Sequence, residues 1–266
     1  MEVKIIMSIS ESLYFLYDNI NFYEQFGIMN VHIESGLYQE PFLANRTINE
    51  IKIKNRHEPY FQNIEESPIQ LKLSFAFEDS FDEDKIRAVA RALKKDFYTP
   101  LVLSQNPDRI FYAICVDESQ LIHNGLGGGY VSLNFRCNAP WSFSPVFSSP
   151  IYDLTSNPVG GTNIQIINNG DISMPLLITS QIISGSSFSI QNISDSGKSI
   201  SFSSLDINEI ITIDTESEDI STSKLLTYRY DQMTGGFLII PRGVNNLKIL
   251  GNIKLQLQYQ FRLLQS

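Results

Sequence analysis

The side chains able to do chemistry are few in this chain, and their spacing leaves them little to do. Adjacent carboxylates stand at Glu65-Glu66 and Glu78-Asp79. Two carboxylates flanking one bond are what a glycosidase uses as acid and base. Neighbours on a strand point to opposite faces, so neither pair can converge on a substrate, and both read as solvated acidic surface. His32, His57 and His123 are the only histidines. With Cys115 and Cys137 they form none of the close ligand pairs that a zinc site requires. Both cysteines sit in apolar, strand-like runs and read as reduced core thiols. A serine nucleophile would need a Gly-x-Ser-x-Gly elbow, and none occurs. The run Gly125-Leu126-Gly127-Gly128-Gly129 suggests a phosphate loop, but such a loop opens a helix and carries a lysine. Here it precedes Tyr130–Phe135, a strand pattern, and reads as a hairpin tip. His123 beside it reads as an exposed loop residue, and Trp141, the only tryptophan, as packing in a domain joint. The sequence therefore assigns no catalytic, cofactor-binding or metal-ligating residue.

The elements around these residues are mostly strands. Ile51–Lys54 and Leu71–Phe77 alternate apolar with polar side chains, the period of a half-buried strand. Arg109–Val116 is rich in aromatic and β-branched residues, and Tyr130–Phe135 is expected to pair with it across the glycine loop. One helix is expected from Asp82 to about Asp96. Ile86, Val89, Ala90 and Leu93 fall on one face, and Ser80 with Glu83 reads as a capping box. Tyr98-Thr99-Pro100 ends it, because the residue before proline avoids the α region.

Composition changes near residue 140. Residues 1–140 hold 13 basic and 19 acidic groups, a net −6, whereas residues 141–266 hold 7 and 10 and are rich in serine. Pro140, Pro145 and Pro150 make the junction a stiff connector. Two domains are expected: 1–140, joined by a last strand at about 255–266, and 141–254. In the second, Gly160-Gly161, Asn168-Asn169-Gly170, Gly185, Gly197, Gly235-Gly236, Asn245-Asn246 and Gly251 punctuate short strands: Thr162–Ile167, Leu176–Ser180, Ser187–Ile193, Ser199–Ser203, Glu209–Asp214, Phe237–Ile240, Asn246–Ile249 and Ile253–Phe261. Many short strands at regular spacing imply a sandwich or barrel.

The formal charge of −9 removes the counterion release that drives tight nucleic-acid binding. No signal peptide is evident at the N-terminus, where Met1 or Met7 could serve as start, and no apolar run is long enough to span a membrane.

Four ordered segments resemble the distal tail protein family of siphophages. They are Phe26-Gly27-Ile28 with Glu34-Ser35-Gly36 and Pro41-Phe42; Ile48-Asn49-Glu50 through Arg56 to Pro59-Tyr60-Phe61; Phe81-Asp82, the helix and Tyr98–Leu103; and Tyr130, Leu133, Phe135-Arg136-Cys137 with Pro140-Trp141-Ser142 and Ser144-Pro145. The second half matches through Asn168-Asn169-Gly170, Pro175, Glu209, Asp214, Gly235-Gly236 and Gly243-Val244-Asn245. The resemblance implies a mainly β chain: an N-terminal ring-forming domain with one α-helix and a C-terminal galectin-like β-sandwich. It implies a homo-hexameric ring at the distal end of a virion tail, made in the host cytoplasm. Such a ring joins the tail tube protein above to a fibre or lysin protein and receptor-binding proteins below, and leaves a channel for DNA. No enzymatic activity and no cofactor are expected. The residues before about position 13 depart from the family's pattern.

The competing function is a carbohydrate-binding module for host cell-wall glycans. Sugar sites present several exposed aromatics, yet residues 162–226 offer only Phe188 and Phe202.

Overall fold

A computed structural model describes residues 12–31, 43–78, 83–124 and 129–264. The chain splits into two compact units, Met1–Phe143 with Leu264–Ser266, and Ser144–Leu263. Each has its own apolar core.

The first unit holds strands β1 (Phe15–Tyr17), β2 (Ile20–Asn21), β3 (Ile28–Asn30), β4 (Arg46–Ile51), β5 (Tyr60–Glu66), β6 (Gln70–Phe77), β7 (Thr99–Leu103), β8 (Asn106–His123), β9 (Gly129–Cys137) and β10 (Ser142–Phe143). Its main sheet runs β2-β1-β7-β8-β9-β6-β3, with β10 on β8. The expected alternation holds in β6, where Leu71, Leu73 and Phe75 are buried between exposed Gln70 and Lys72. β8 and β9 form the expected hairpin, with Cys115 opposite Phe135 and His123 opposite Gly129. Phe15 and Tyr17, inward on β1, meet Phe22, Phe75 and Phe135 in an aromatic centre, the Phe15 and Phe22 rings lying 4.6 Å apart.

Among the described residues there are two α-helices, where the sequence suggests one. The short helix α1 (Phe22–Phe26) is capped at both ends. The Asn21 side chain accepts from the amides of Tyr23 and Glu24, and Gly27, at φ 60°, donates to the carbonyls of Phe22 and Tyr23. A left-handed residue at this position is the usual role of a helix-terminal glycine, which accounts for Gly27 among the marker residues. The expected helix is α2 (Glu83–Leu93); Ser80 and Asp82, invoked for its start, lie outside the described residues. Val89 and Leu93 are buried and Ala92 packs on the core, but Ala90 is exposed. Leu93 borders a cavity of about 390 Å³ between α2 and the sheet. Leu93→Ala is therefore expected to cost about 2 kcal/mol, the low end for such truncations, because part of its surroundings is already empty. Denaturant unfolding checks this, and a loss below about 0.5 kcal/mol would mean that α2 does not pack on the sheet.

The second unit holds β11 (Phe147–Ser148), β12 (Tyr152–Leu154), β13 (Thr162–Asn168), β14 (Met174–Pro175), β15 (Leu177–Asn192), β16 (Lys198–Phe202), β17 (Ile210–Asp214), β18 (Asp219–Thr222), β19 (Met233–Gly235), β20 (Ile239–Ile240) and β21 (Gly243–Tyr259). β15 pairs with β21 from Leu177 opposite Gln258 to Asn192 opposite Leu247. One half of this ribbon carries β17, β18, β11 and β12; the other carries β16, β19 and β13. Ile178 and Ile182 from one half of β15 share a single core cluster with Phe188 and Ile190 from the other, as do Leu247 and Ile249 with Ile253, Leu255 and Leu257 of β21. The ribbon must curl on itself for both halves to cover one core, and bulges are how strands pass from one layer to the other.

The sequence reading divided each of these two strands at a glycine. Gly185 and Gly251 instead mark the bend, where the β15–β21 register shifts between Ile182 and Ser189. Residues Ile253–Tyr259 pair with β11, β12 and β15, all in this unit. A Cβ on Gly251, at φ 97°, would stand 2.6 Å from the Ser187 carbonyl oxygen, whereas Gly185, at φ 80°, has open space around it. Gly251→Ala is therefore expected to cost about 3 kcal/mol, conformational strain plus a backbone clash, and Gly185→Ala about 1 kcal/mol from strain alone. Equal costs in thermal unfolding of the two variants would remove the clash from this account.

Candidate assembly surfaces

The residues singled out for chemistry are dispersed. Glu66 pairs with Arg46 at 3.2 Å, while Glu65 accepts from the Asn49 side chain at 2.8 Å. His123 is exposed at the end of β8, a strand end where the sequence suggested a loop, and His57 is exposed between β4 and β5; His32 lies outside the described residues. Cys137 is buried in the core, and burial pushes its thiol up to about 12. Cys115 is half-buried and lines the α2 cavity; burial, the largest influence, raises its pKa. Both cysteines are free thiols. Gly129 opens β9, and the rest of the glycine run lies outside the described residues. Trp141 is half-buried beside β10. Phe188 and Phe202 are buried and stack on each other at 5.3 Å, so neither is offered to a sugar.

The apolar surface that the fold leaves outside is more informative. β4 and β5 form a two-stranded sheet, with no other strand beside it among the described residues. Asn49 is its one half-buried residue and the rest are exposed. Register puts Ile48 opposite Ile64 and, past a bulge, Glu50 opposite Phe61 and Ile51 opposite Tyr60. Alternation then assigns Ile48, Ile64 and Phe61 to one face and Ile51 and Tyr60 to the other. Phe61 is 64% exposed and Ile48 60%. An isolated hairpin is marginal in water, and its strand edges present unpaired backbone groups. Among the described residues, nothing covers the apolar side chains of this arm.

The arm also corrects the reading of Ile51–Lys54 as strand. β4 ends at Ile51, and the chain turns through Asn55 at φ 72°. Lys52, Lys54 and Arg56 therefore lie in the connection, not on one strand face, and Arg56 stacks over the Tyr60 ring at 4.0 Å.

A second outward apolar feature lies in the second unit, where Leu225, Leu226 and Tyr228 project from the loop after β18. Charges buried at the loop's base hold it. Glu209, 1% exposed, takes a bidentate pair from Arg229, Nε to Oε1 and Nη2 to Oε2, each 2.8 Å. The Thr222 hydroxyl donates to the same carboxylate at 2.5 Å and the Asp206 amide at 2.9 Å. Other marker residues fix turns: Asp214 accepts from the amides of Glu216 and Ser217, and buried Asn245 donates to the carbonyls of Pro241 and Gly243 and accepts from Asn192. Among the described residues no group of His, Cys, Asp or Glu could hold a metal, and no helix is long and apolar enough to cross a membrane. The exposed arm could have been found in the sequence, because Ile48, Ile51, Phe61 and Ile64 put apolar residues on both faces of one hairpin.

Comparison with known proteins places the chain among phage tail proteins. Residues 10–139 match the family model described as phage tail protein N-terminal domain. The SPbeta prophage-derived uncharacterized protein YomH of Bacillus subtilis (strain 168) is 35% identical over 257 residues, covering 96% of this chain and 100% of that protein. Among solved structures, the SPP1 Dit protein, described as a paradigm of the hub adsorption apparatus in phages infecting Gram-positive bacteria, superposes with a TM-score of 0.69 at 14% identity. That match covers 94% of this chain and 99% of that one. A chain of the phage P2 baseplate in its activated conformation with Ca gives a TM-score of 0.50 at 11% identity, covering 93% and 97%. These two likenesses establish a shared fold, mainly β in two curled units. With a relative of 35% identity along nearly its whole length and the family model over its first unit, the chain belongs to this family of phage tail proteins, structural components of the tail, and carries the distal tail protein fold.

Proposed function

We propose that this protein is a non-enzymatic hub of the tail tip. Six copies form a ring through their first units. The ring joins the tail tube above to the baseplate, fibre or lysin protein and receptor-binding proteins below, and DNA passes through its lumen. The second unit is a galectin-like sandwich that offers an attachment surface. The observation that carries this reading is the β4–β5 arm, whose apolar side chains have no place in their own core. A surface of that kind is an assembly surface. The net charge of −6 over residues 1–140 suits a lumen that DNA must pass without sticking. The carbohydrate-binding alternative loses support because Phe188 and Phe202 are core residues.

Light scattering with negative-stain imaging of the purified chain tests the ring. Six-fold particles are expected, and a monomer that persists at high concentration would overturn the reading. In a gel shift at low salt no micromolar DNA binding is expected. Binding abolished by exchanging Lys52, Lys54 and Arg56 for Glu would mean that the basic tip of the arm holds DNA.

A further inference from the structure

The second unit carries apolar side chains that its own core does not take up. Leu225, Leu226 and Tyr228 are 93%, 103% and 84% exposed, and Ile207 and Ile210 stand exposed on a second loop. The two loops are tied into one body. Lys224 pairs with Asp206 at 3.1 Å, the Arg229 guanidinium donates to the Ser204 carbonyl at 3.3 Å, and the Ser223 amide donates to the Ile210 carbonyl at 2.9 Å. Single exposed apolar residues are ordinary, but a group of them gathered on one body marks a contact surface. Ser204, Asn208 and Leu226 hold left-handed backbone at φ 57°, 65° and 54°. For a leucine that conformation is uncommon, and it persists only where the surroundings fix it. A loop fixed in advance loses little entropy on binding, so this one presents its side chains ready for a partner.

Charge narrows the partner. Residues 204–210 and 219–231 carry Asp206, Glu209, Asp219 and Asp231 against Lys224 and Arg229, four carboxylates against two cations and a net −2. Both cations are engaged from within, by Asp206 and Glu209. A loop that enters a membrane carries basic residues toward anionic headgroups, the reverse of this rim. A second copy, of net charge −9, would bring like charge against it. What complements the loop is an apolar pocket with basic edges. We propose that Leu225, Leu226 and Tyr228 are the point at which the second unit docks a different protein of the tail, one whose seat is an apolar pocket edged by lysine or arginine facing Asp219 and Asp231. This rests on the reading of the second unit as an attachment surface and names the side chains that attach.

Photo-cross-linking in assembled tails tests the contact, with the full-length chain carrying benzoylphenylalanine in place of Tyr228. Irradiated particles should yield a link to one tail protein other than this chain, at an apolar segment flanked by lysine or arginine. Adding Leu225→Ser with Leu226→Asn removes the apolar tips, and asparagine tolerates the left-handed backbone at 226, so the fold stays. The link should then be lost. Without the probe, the same pair of changes should weaken binding of the purified full-length chain to the linked protein at least about tenfold. Asp231→Lys should weaken binding too, and by less at high salt. A link only to other copies of this chain, to lipid or to glycan, or no link from particles that contain the chain, would overturn the docking and leave the tail-tip reading standing. Unchanged affinity in the Leu225→Ser, Leu226→Asn variant would do the same. Tails that form without the wild-type chain in them would overturn both.

Discussion

Glu209→Ala is expected to remove about 3–5 kcal/mol from the stability of the second unit. The variant strands the Arg229 guanidinium, 9% exposed, without the carboxylate that meets it with two 2.8 Å bonds. It also leaves the Thr222 hydroxyl and the Asp206 amide without their acceptor. A charge left buried and unpaired costs far more than the intact pair contributes, so Arg229→Ala should be comparably damaging. The double replacement Glu209→Leu with Arg229→Met removes both charges together and should recover most of the loss. Denaturant unfolding combined with hydrogen exchange on β17 measures all three variants. A double variant no better than the singles would show that the residues act through shape and not through charge.

The same carboxylate gives the second unit a pH dependence of known sign. Burial alone would raise the Glu209 pKa, but the bonds from Arg229, the Asp206 amide and Thr222 outweigh it and hold the group below the usual carboxylate range. A depressed folded value means that its contribution is complete above the unfolded value of about 4.3 and drains away as pH falls through the folded one. Wild type should therefore lose stability below about pH 4 more steeply than the Glu209→Leu, Arg229→Met variant.

Phe15→Ala is expected to cost the first unit about 3–5 kcal/mol, the cost of emptying an aromatic site that cannot collapse. The Phe15 ring is fully buried and touches Phe22 on α1, Phe75 on β6 and Phe135 on β9. One truncation therefore opens a void among three elements that β1 holds together. Phe15→Leu keeps more of the volume and should lose markedly less. Calorimetry of the full chain separates the two variants, and similar losses would mean that the neighbouring rings close over the gap.

Local rules carried much of the fold. Period two located β6, because a side chain's face on a strand is set by parity alone, whereas aromatic and β-branched content located the centre of β8 and turn residues bracketed β13, β16 and β17. Helical spacing located α2 through Val89 and Leu93 for the same kind of reason, since turns of 3.6 residues stack them on one side. The marker residues proved to be backbone devices: Gly27 ends α1, Asn245 ties its turn, and Glu209 anchors the loop of Leu225 and Leu226. They were visible as a family pattern without any view of what they hold.

The rest depended on what each segment meets. A five-residue helix such as α1 is too short to show a period, and its Asn21 and Gly27 caps carry weight only once Phe22 has a core to enter. Gly185 and Gly251 resemble turn residues in isolation, yet pairing of β15 with β21 on both sides of them makes them the bend of one continuous ribbon. Alternation from Ile51 to Lys54 continues past the point where β4 stops, because the turn at Asn55 is set by the partner strand's register. The sequence by itself determined the β class, α2 and the family. Tertiary pairing decided which alternating runs face a core and which, like Ile48 and Phe61, are left outside, because burial is a property of the surface a strand meets and not of the strand.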